Sequence, residues 1–293
     1  LVYLYQDGVW TENDVPASMA RTGATGLRLS DGSLVFVGGL NSWGEPDFSV
    51  RVEVESLNKP DFISPLPLDS WLISGVGSSN ARSLEPTKSL LFPGLLPGFR
   101  APYTIGSHWV VSGTDEGTAK VSRRETTLNG KPMNGDYYLS FSSSTYDASE
   151  ARVYAYGFEF NLIEGAPEKQ FREYGLFGLD LTTLDWELIV EAEGSSGRID
   201  GAEVIYDDTT GLVYLVGGVQ IGATGSVTPL SSIWTLDPGS GLRTQVYGQT
   251  PSITALPWGI VSTWHNEAAR TLVLAIGRGA DEYSLAVFNM DDY

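Results

Sequence analysis

The chain has 293 residues and a formal net charge of −18, from 36 acidic against 18 basic side chains. That balance repels DNA, RNA and anionic membrane surfaces at long range and argues against nucleic acid as a partner. With no cysteine and two histidines, disulfides, thiolate nucleophiles and cysteine-ligated metals are excluded and little is left for a zinc site.

Hydrophobic residues at 42% suffice for a sizeable core, and 34 glycines and 15 prolines dispersed along the chain point to many tight turns between short strands. No apolar run approaches the roughly 20 residues of a membrane span, so this segment is not expected to insert into a bilayer. Leu1 in place of an initiator methionine reads as the start of a processed or excised piece of a longer protein. Asn-x-Ser/Thr acceptors are absent, a mild argument against a glycosylated eukaryotic secreted protein. The compartment stays open, a secreted or cell-surface location being slightly favoured over the cytoplasm.

Taken in chain order, residues 2–5 and 9–11, joined by Asp7-Gly8, read as a hairpin. Apolar, β-branched and aromatic runs that end in glycine follow at 33–39, 70–75, 107–113, 152–157, 212–218 and 271–277. Their lengths suit strands buried on both faces, and the final glycine supplies a turn that a side chain would obstruct. Ahead of two of these runs lie further strands, 138–146 and 202–206, closed by hairpin connections at 147–150 and 207–211. The Asp207-Asp208 pair there is read first as turn capping, metal ligation being the less favoured alternative.

Aromatic-x-Leu/Met-Asp recurs downstream as Phe177-Gly178-Leu179-Asp180, Trp234-Thr235-Leu236-Asp237 and Phe288-Asn289-Met290-Asp291, marking a third strand. Turn-rich segments follow the first two, then fourth strands at 186–190 and 242–247. Tyr146-Asp147, Val153-Tyr154 and Gly157 return as Tyr206-Asp207, Val213-Tyr214 and Gly217, and Gly277 keeps the same 60-residue interval. Such self-similarity means one supersecondary unit used several times. Four-stranded meanders arrayed around an axis cover one another's faces and leave only short edges, so the expected fold is an all-β propeller of about six blades, with five or seven as alternatives, forming a single domain over residues 1–293.

The Gly38-Gly39 and Gly217-Gly218 doublets, the aromatic-x-Leu-Asp segments and Trp186 together resemble drifted kelch repeats. The resemblance is best from about Tyr137 to Asp291 and poor between Ser56 and Arg100. It implies a relative of the galactose oxidase/kelch-like superfamily, but the absence of cysteine excludes that superfamily's copper-radical cofactor, and no cofactor is expected. It also implies closure of the last blade by N-terminal strands, because Asp291 ends a third strand and Tyr293 ends the chain. Excision with an imperfect boundary is the competing explanation.

Propellers bind through loops at one face or at the channel mouth, so residues just before each first strand are the site candidates. These are Arg21, Arg100, Arg198 and Trp258, with Trp43 and Trp264 as further aromatic candidates. Guanidinium groups there would clamp a carboxylate or acidic peptide, and indoles would stack on sugar or peptide. The competing role is structural, the arginines bonding neighbouring loop carbonyls and the tryptophans packing blades. His108 and His265 stand far apart in sequence, and no Gly-x-Ser-x-Gly elbow accompanies them. The expected function is a non-catalytic binding module for a protein, peptide or carbohydrate ligand, part of a larger protein. The alternatives are a carbohydrate-active enzyme or sugar isomerase using channel carboxylates, for which Asp200, Glu203, Asp281 and Glu282 are placeholders, and a purely structural surface domain.

Overall fold

The computed structural model describes the strands of residues 2–125 by their backbone, and residues 126–293 for the most part with side chains, apart from stretches 134–136, 162–170, 193–198, 222–225, 248–258 and 278–282. Among the described residues the chain is all-β, a single 3-10 turn (Met290–Asp292) being the exception. No helix of the described residues is long and apolar enough to cross a membrane. The expected strand at 70–75 lies outside the described residues. The chain divides into two compact units, Leu1–Thr126 and Thr127–Tyr293.

In the N-terminal unit, β1 (Val2–Gln6) and β2 (Val9–Asn13) form the antiparallel hairpin expected around Asp7-Gly8. β3 (Thr25–Arg28), β4 (Leu34–Val37) and β5 (Val50–Val52) make a three-stranded meander. β6 (Arg82–Leu84), β7 (Ser89–Leu95), β8 (Thr104–Ser112) and β9 (Lys120–Glu125) make a four-stranded one, with the apolar run at 107–113 falling in β8, its third strand.

The C-terminal unit opens with a two-residue hairpin, β10 (Thr127–Leu128) and β11 (Lys131–Pro132). Its turn residues Asn129 and Gly130 both have positive φ, 51° and 71°, as a type I′ turn requires. Then comes the first of three meanders, β12 (Tyr137–Asp147), β13 (Arg152–Asn161), β14 (Phe171–Asp180) and β15 (Asp185–Glu191), with β10 added in parallel along β15. Next are β16 (Ile199–Asp200), β17 (Glu203–Asp207), β18 (Leu212–Val216), β19 (Val219–Ile221), β20 (Val227–Pro229), β21 (Ile233–Leu236) and β22 (Arg243–Tyr247). Of these, β17, β18, β21 and β22 form the second meander, and β16, β19 and β20 a small sheet at one end of it. The third meander, β23 (Ile260–Asn266), β24 (Thr271–Gly277) and β25 (Tyr283–Asn289), has three strands, as the sequence led one to expect.

One turn closes five of these hairpins. An Asp or Asn ends the first strand, three residues follow, and a residue with positive φ leads into the next strand: Ala151 (φ 51°), Leu184 (φ 60°), Gly211 (φ 72°), Gly241 (φ 74°) and Arg270 (φ 49°). The side chain of the leading Asx accepts the amide two or three residues on, as in Ser149 N to Asp147 Oδ1 (2.8 Å), Thr182 N to Asp180 Oδ1 (2.6 Å), Thr209 N to Asp207 Oδ1 (3.1 Å), Gly239 N to Asp237 Oδ1 (2.8 Å) and Ala269 N to Asn266 Oδ1 (3.1 Å). This explains the echo of Tyr146-Asp147 in Tyr206-Asp207. The third copy slips by one residue: the glycines at 157, 217 and 277 keep their interval, but Arg270 stands 59 residues after Gly211, and β23 carries a bulge between Ile260 and Ser262.

The three meanders pack in chain order through the two faces of the middle one. Val204, Val213, Leu215 and Leu236 bury one face of the second sheet with Tyr154, Tyr156, Leu176 and Val190 of the first. Ile205, Tyr214, Val216 and Ile233 bury the opposite face with Ile260, Leu272, Leu274 and Phe288 of the third. Successive residues of β18 therefore feed alternate layers, which is why its sequence is apolar throughout instead of alternating. Each fully buried Leu, Ile or Val contributes about 1.5–3 kcal/mol.

Candidate functional site

The strands define two ends of the C-terminal unit. At one end lie the β12–β13, β17–β18 and β23–β24 hairpins with their Asx turns. At the other lie the starts of the three first strands, the small β16–β19–β20 sheet and the glycines.

The glycine end is a backbone joint. Gly217 and Gly218 both have positive φ (65° and 83°), and a Cβ on Gly218 would stand 2.6 Å from Asp200 O and 2.7 Å from Ala202 N. On Gly259 (φ 62°) it would stand 2.5 Å from Leu230 O. This close approach admits a relay of main-chain hydrogen bonds: Leu230 N to Gly218 O (2.9 Å), Ile260 N to Leu230 O (2.9 Å) and Gly277 N to Gly259 O (3.0 Å). The second and third sheets are thereby fixed to each other at the point where both first strands begin. Between the first and second sheets side chains do the same work, Ser143 Oγ accepting Val204 N (3.0 Å) and Thr145 Oγ1 accepting Tyr206 N (2.9 Å). A β12 bulge between Phe141 and Ser144 presents that serine-rich run to β17. Gly157 departs from expectation: β13 does not stop there but runs on to Asn161, so the first sheet extends further at this end.

That extension is aromatic. Tyr154, Tyr156, Phe158 and Phe160 alternate along β13 and share one face. Tyr154 and Tyr156 are buried against the second sheet, whereas Phe158 and Phe160 are half-buried. Phe158 stacks with Tyr174 (5.9 Å between centroids) and Phe160 with Tyr138 (4.6 Å). The Tyr174 hydroxyl donates to Ile199 O at 2.5 Å, tying the aromatic face to the small sheet. The end thus presents ring faces held by a rigid backbone, an arrangement suited to stacking on a sugar or a peptide side chain.

The hairpin end carries the charged cluster. Arg270 donates through Nη1 and Nη2 to Asp207 Oδ1 (2.5 Å) and Oδ2 (2.9 Å), and through Nε to Asp291 Oδ1 (2.5 Å). Asp207, only 3% exposed, also accepts from Thr210 Oγ1 at 2.6 Å. Burial by itself raises the Asp207 pKa, but the Arg270, Thr210 and Thr209 donors reverse that and hold the carboxyl below its usual range. The carboxylate is therefore committed to a guanidinium that bridges the second and third sheets. His265, next to this turn, is pulled below the usual imidazole range chiefly by burial, against the neighbouring Glu267 and Asp207. The equivalent carboxylate of the first sheet, Asp147, is buried facing the Tyr206 phenol, which burial and then Asp147 push up strongly.

Of the residues singled out from sequence, Arg21, Trp43, Arg100, Arg198 and Trp258 lie outside the described residues, as do Asp281 and Glu282. Ile199 and Gly259, the immediate neighbours of Arg198 and Trp258, both sit at the glycine end. Trp264 is 52% exposed in mid-β23, nearer the hairpin end, in cross-strand register with Val273 and, beyond it, Val287. Asp200 caps the adjacent Gly201 amide at 2.9 Å, and Glu203 begins β17. Trp186 is fully buried. The aromatic stripe of β13 was present in the sequence as alternation at 154, 156, 158 and 160, and was masked by reading Gly157 as a strand end. Among the described residues no His, Cys, Asp or Glu cluster is arranged to hold a metal ion. Comparison with protein-family models and with curated proteins finds no match for this chain.

Proposed function

We propose that the chain is a kelch-like β-propeller of about six four-stranded blades, closed by its N-terminal strands. It acts as a non-catalytic binding module that takes a protein segment or glycan at the loop face bearing the glycine end. The observation that supports this most is the gathering of the first-strand starts of three consecutive meanders at one end, beside the half-buried rings of Phe158, Phe160 and Tyr174. Rigid backbone with aromatic faces suits recognition, and Arg198, one residue before β16, and Trp258, two residues before β23, would add a charged and a stacking contact.

The test is binding of the intact chain to glycan and peptide arrays, followed by titration of each hit against Phe160→Ala, Arg198→Met and Trp258→Ala. A hit weakened about tenfold or more by two of these changes, with unaltered circular dichroism, supports the reading. Hits that ignore all three, or respond only to Trp264→Ala at the far end, refute it.

A further inference from the structure

Asp200 ends β16, and Gly201 turns the chain toward β17, between the buried residues Ile199 and Ala202. Ile199 O accepts the Tyr174 hydroxyl and Ala202 packs in the core between the first and second sheets, so the chain is held on both sides of this dipeptide. The dipeptide itself faces outward. Asp200 is half-buried, Gly201 is exposed, and a Cβ built on Gly201 (φ 68°) meets nothing within 4 Å. Asp200 Oδ1 accepts the Gly201 N–H at 2.9 Å, so the carboxyl is folded back on the peptide nitrogen that follows it. That nitrogen and Asp200 Cγ are the atoms whose bond would close a succinimide ring. Anchored flanks keep them close, as a proximity-driven reaction requires, and glycine brings no side chain to obstruct closure.

The other Asx-Gly pair among the described residues is held the opposite way. Asn129-Gly130 is exposed, but the Gly130 N–H donates to both oxygens of Asp185, at 2.9 and 3.0 Å, and is thereby committed to a carboxylate other than its own neighbour's side chain. We propose that Asp200-Gly201 is a self-modification site, which isomerises through a succinimide to isoaspartate. In the first step the Gly201 nitrogen bonds to Asp200 Cγ, and its proton and the carboxyl OH leave together as water. In the second, water adds to the Asp200 main-chain carbonyl carbon and the bond from that carbon to the Gly201 nitrogen breaks, the nitrogen regaining its proton. No electrons are transferred, and the net composition is unchanged. The main chain then runs through Cβ and Cγ, longer by a methylene, and the former carbonyl becomes a free carboxylate. That carbonyl is the one whose oxygen lies 2.6 Å from the place a Gly218 Cβ would take, so the modification acts on the backbone joint between the second and third sheets. The chemistry needs no ligand at this end and stands apart from the recognition proposed there.

The full chain is incubated in 18O water at mildly acidic pH, native and, in parallel, unfolded in guanidinium chloride. Peptide mapping with electron-transfer fragmentation then locates isoaspartate and the incorporated 18O. Position 200 should isomerise in the native chain at least as fast as in the unfolded one, whereas folding should slow the reaction at Asn129 about tenfold or more. Asp200→Glu, whose longer side chain disfavours ring closure, should leave position 200 unmodified. In the isomerised wild-type fraction the Leu230 and Ile260 amides of the main-chain relay should exchange faster than in the unmodified fraction. Isomerisation at position 200 that folding slows as much as it slows Asn129, or isoaspartate there without 18O, overturns the proposal, and unchanged exchange at Leu230 and Ile260 overturns its reach to the joint. If Asp200→Glu fails to fold, the native and unfolded rates of the wild type decide by themselves: a native rate at position 200 at or above the unfolded one supports the site, and a lower one overturns it.

Discussion

Gly211 and Gly218 both hold positive φ, at 72° and 83°, but for different reasons. Around Gly211 a Cβ meets nothing within 4 Å, so the residue serves backbone conformation alone, and Ala151 and Arg270 hold the same turn position with side chains. Gly211→Ala should therefore cost about 1 kcal/mol, and Ala151→Gly should change stability by less than that, read as shifts in the urea midpoint at constant slope. Around Gly218 the Cβ position is already filled by Asp200 O and Ala202 N, so Gly218→Ala adds overpacking to strain and should cost about 3 kcal/mol or more. If the two glycine variants prove equally mild, the backbone joint is wrong. The doublet's turn was legible in the sequence, since glycine is what a left-handed backbone selects. What packs against it was not, because Asp200 lies elsewhere in the chain and carries no pattern that announces the approach. Asn129-Gly130 is a hairpin dipeptide too, but it went unread in the sequence because the two-residue strands it joins are too short to show periodicity.

At the scale of elements, strand order and three of the hairpins followed from local alternation and turn residues, while the ties between sheets did not. Asp207 read as a turn cap, and it is one, but its second role depends on Arg270, 63 residues on, whose guanidinium reaches back across the sheet boundary. Nothing in the spacing marks that pair. Breaking it by Arg270→Met strands a buried carboxylate and should cost about 3 kcal/mol. Adding Asp207→Asn to that variant should recover part of the loss. The sign with pH follows from the depressed folded pKa of Asp207: its contribution is complete above the unfolded value of about 3.9 and disappears as pH falls through the lower folded value. Urea midpoints measured from neutral pH down should fall more steeply below about pH 4 in the wild type than in Asp207→Asn. Parallel profiles would show that the tie contributes no pH-dependent stability. For the candidate site, the sequence pointed to the residues preceding each first strand. Within the C-terminal unit the starts of β12, β17 and β23 share one end, while the candidate side chains themselves lie outside the described residues, and the rings found at that end come from β13, whose glycine disguised the continuing strand.

For the whole molecule the unfinished third meander is decisive. β25 pairs on one side with β24, and Leu285 and Val287 on its outer face are each 68% exposed, beside Trp264 at 52%. Among the described residues β12–β15 and β17, β18, β21 and β22 are runs of four antiparallel neighbours and the third meander is a run of three, and on the proposed propeller reading another segment would cover the edge of β25. The proposed closure assigns that role to the N-terminal β1–β2 hairpin, whose alternating Val2, Leu4 and Val9 would give an inward apolar face. Two measurements bear on it. A closed single domain of 293 residues has a radius of gyration of about 19 Å by the compact-chain relation, and small-angle scattering from two units strung apart would give a markedly larger value. Hydrogen exchange then locates the closure. If residues 1–13 supply the fourth strand, amides of β25 facing away from β24 are protected in the full chain and exchange faster, by about tenfold or more, once those residues are deleted, while β13 and β18 keep their protection. Unprotected outward amides in the intact chain, or protection indifferent to the deletion, would mean that the array is open at β25 and that the hairpin belongs elsewhere. An open array would also remove the channel on which the proposed loop-face recognition depends.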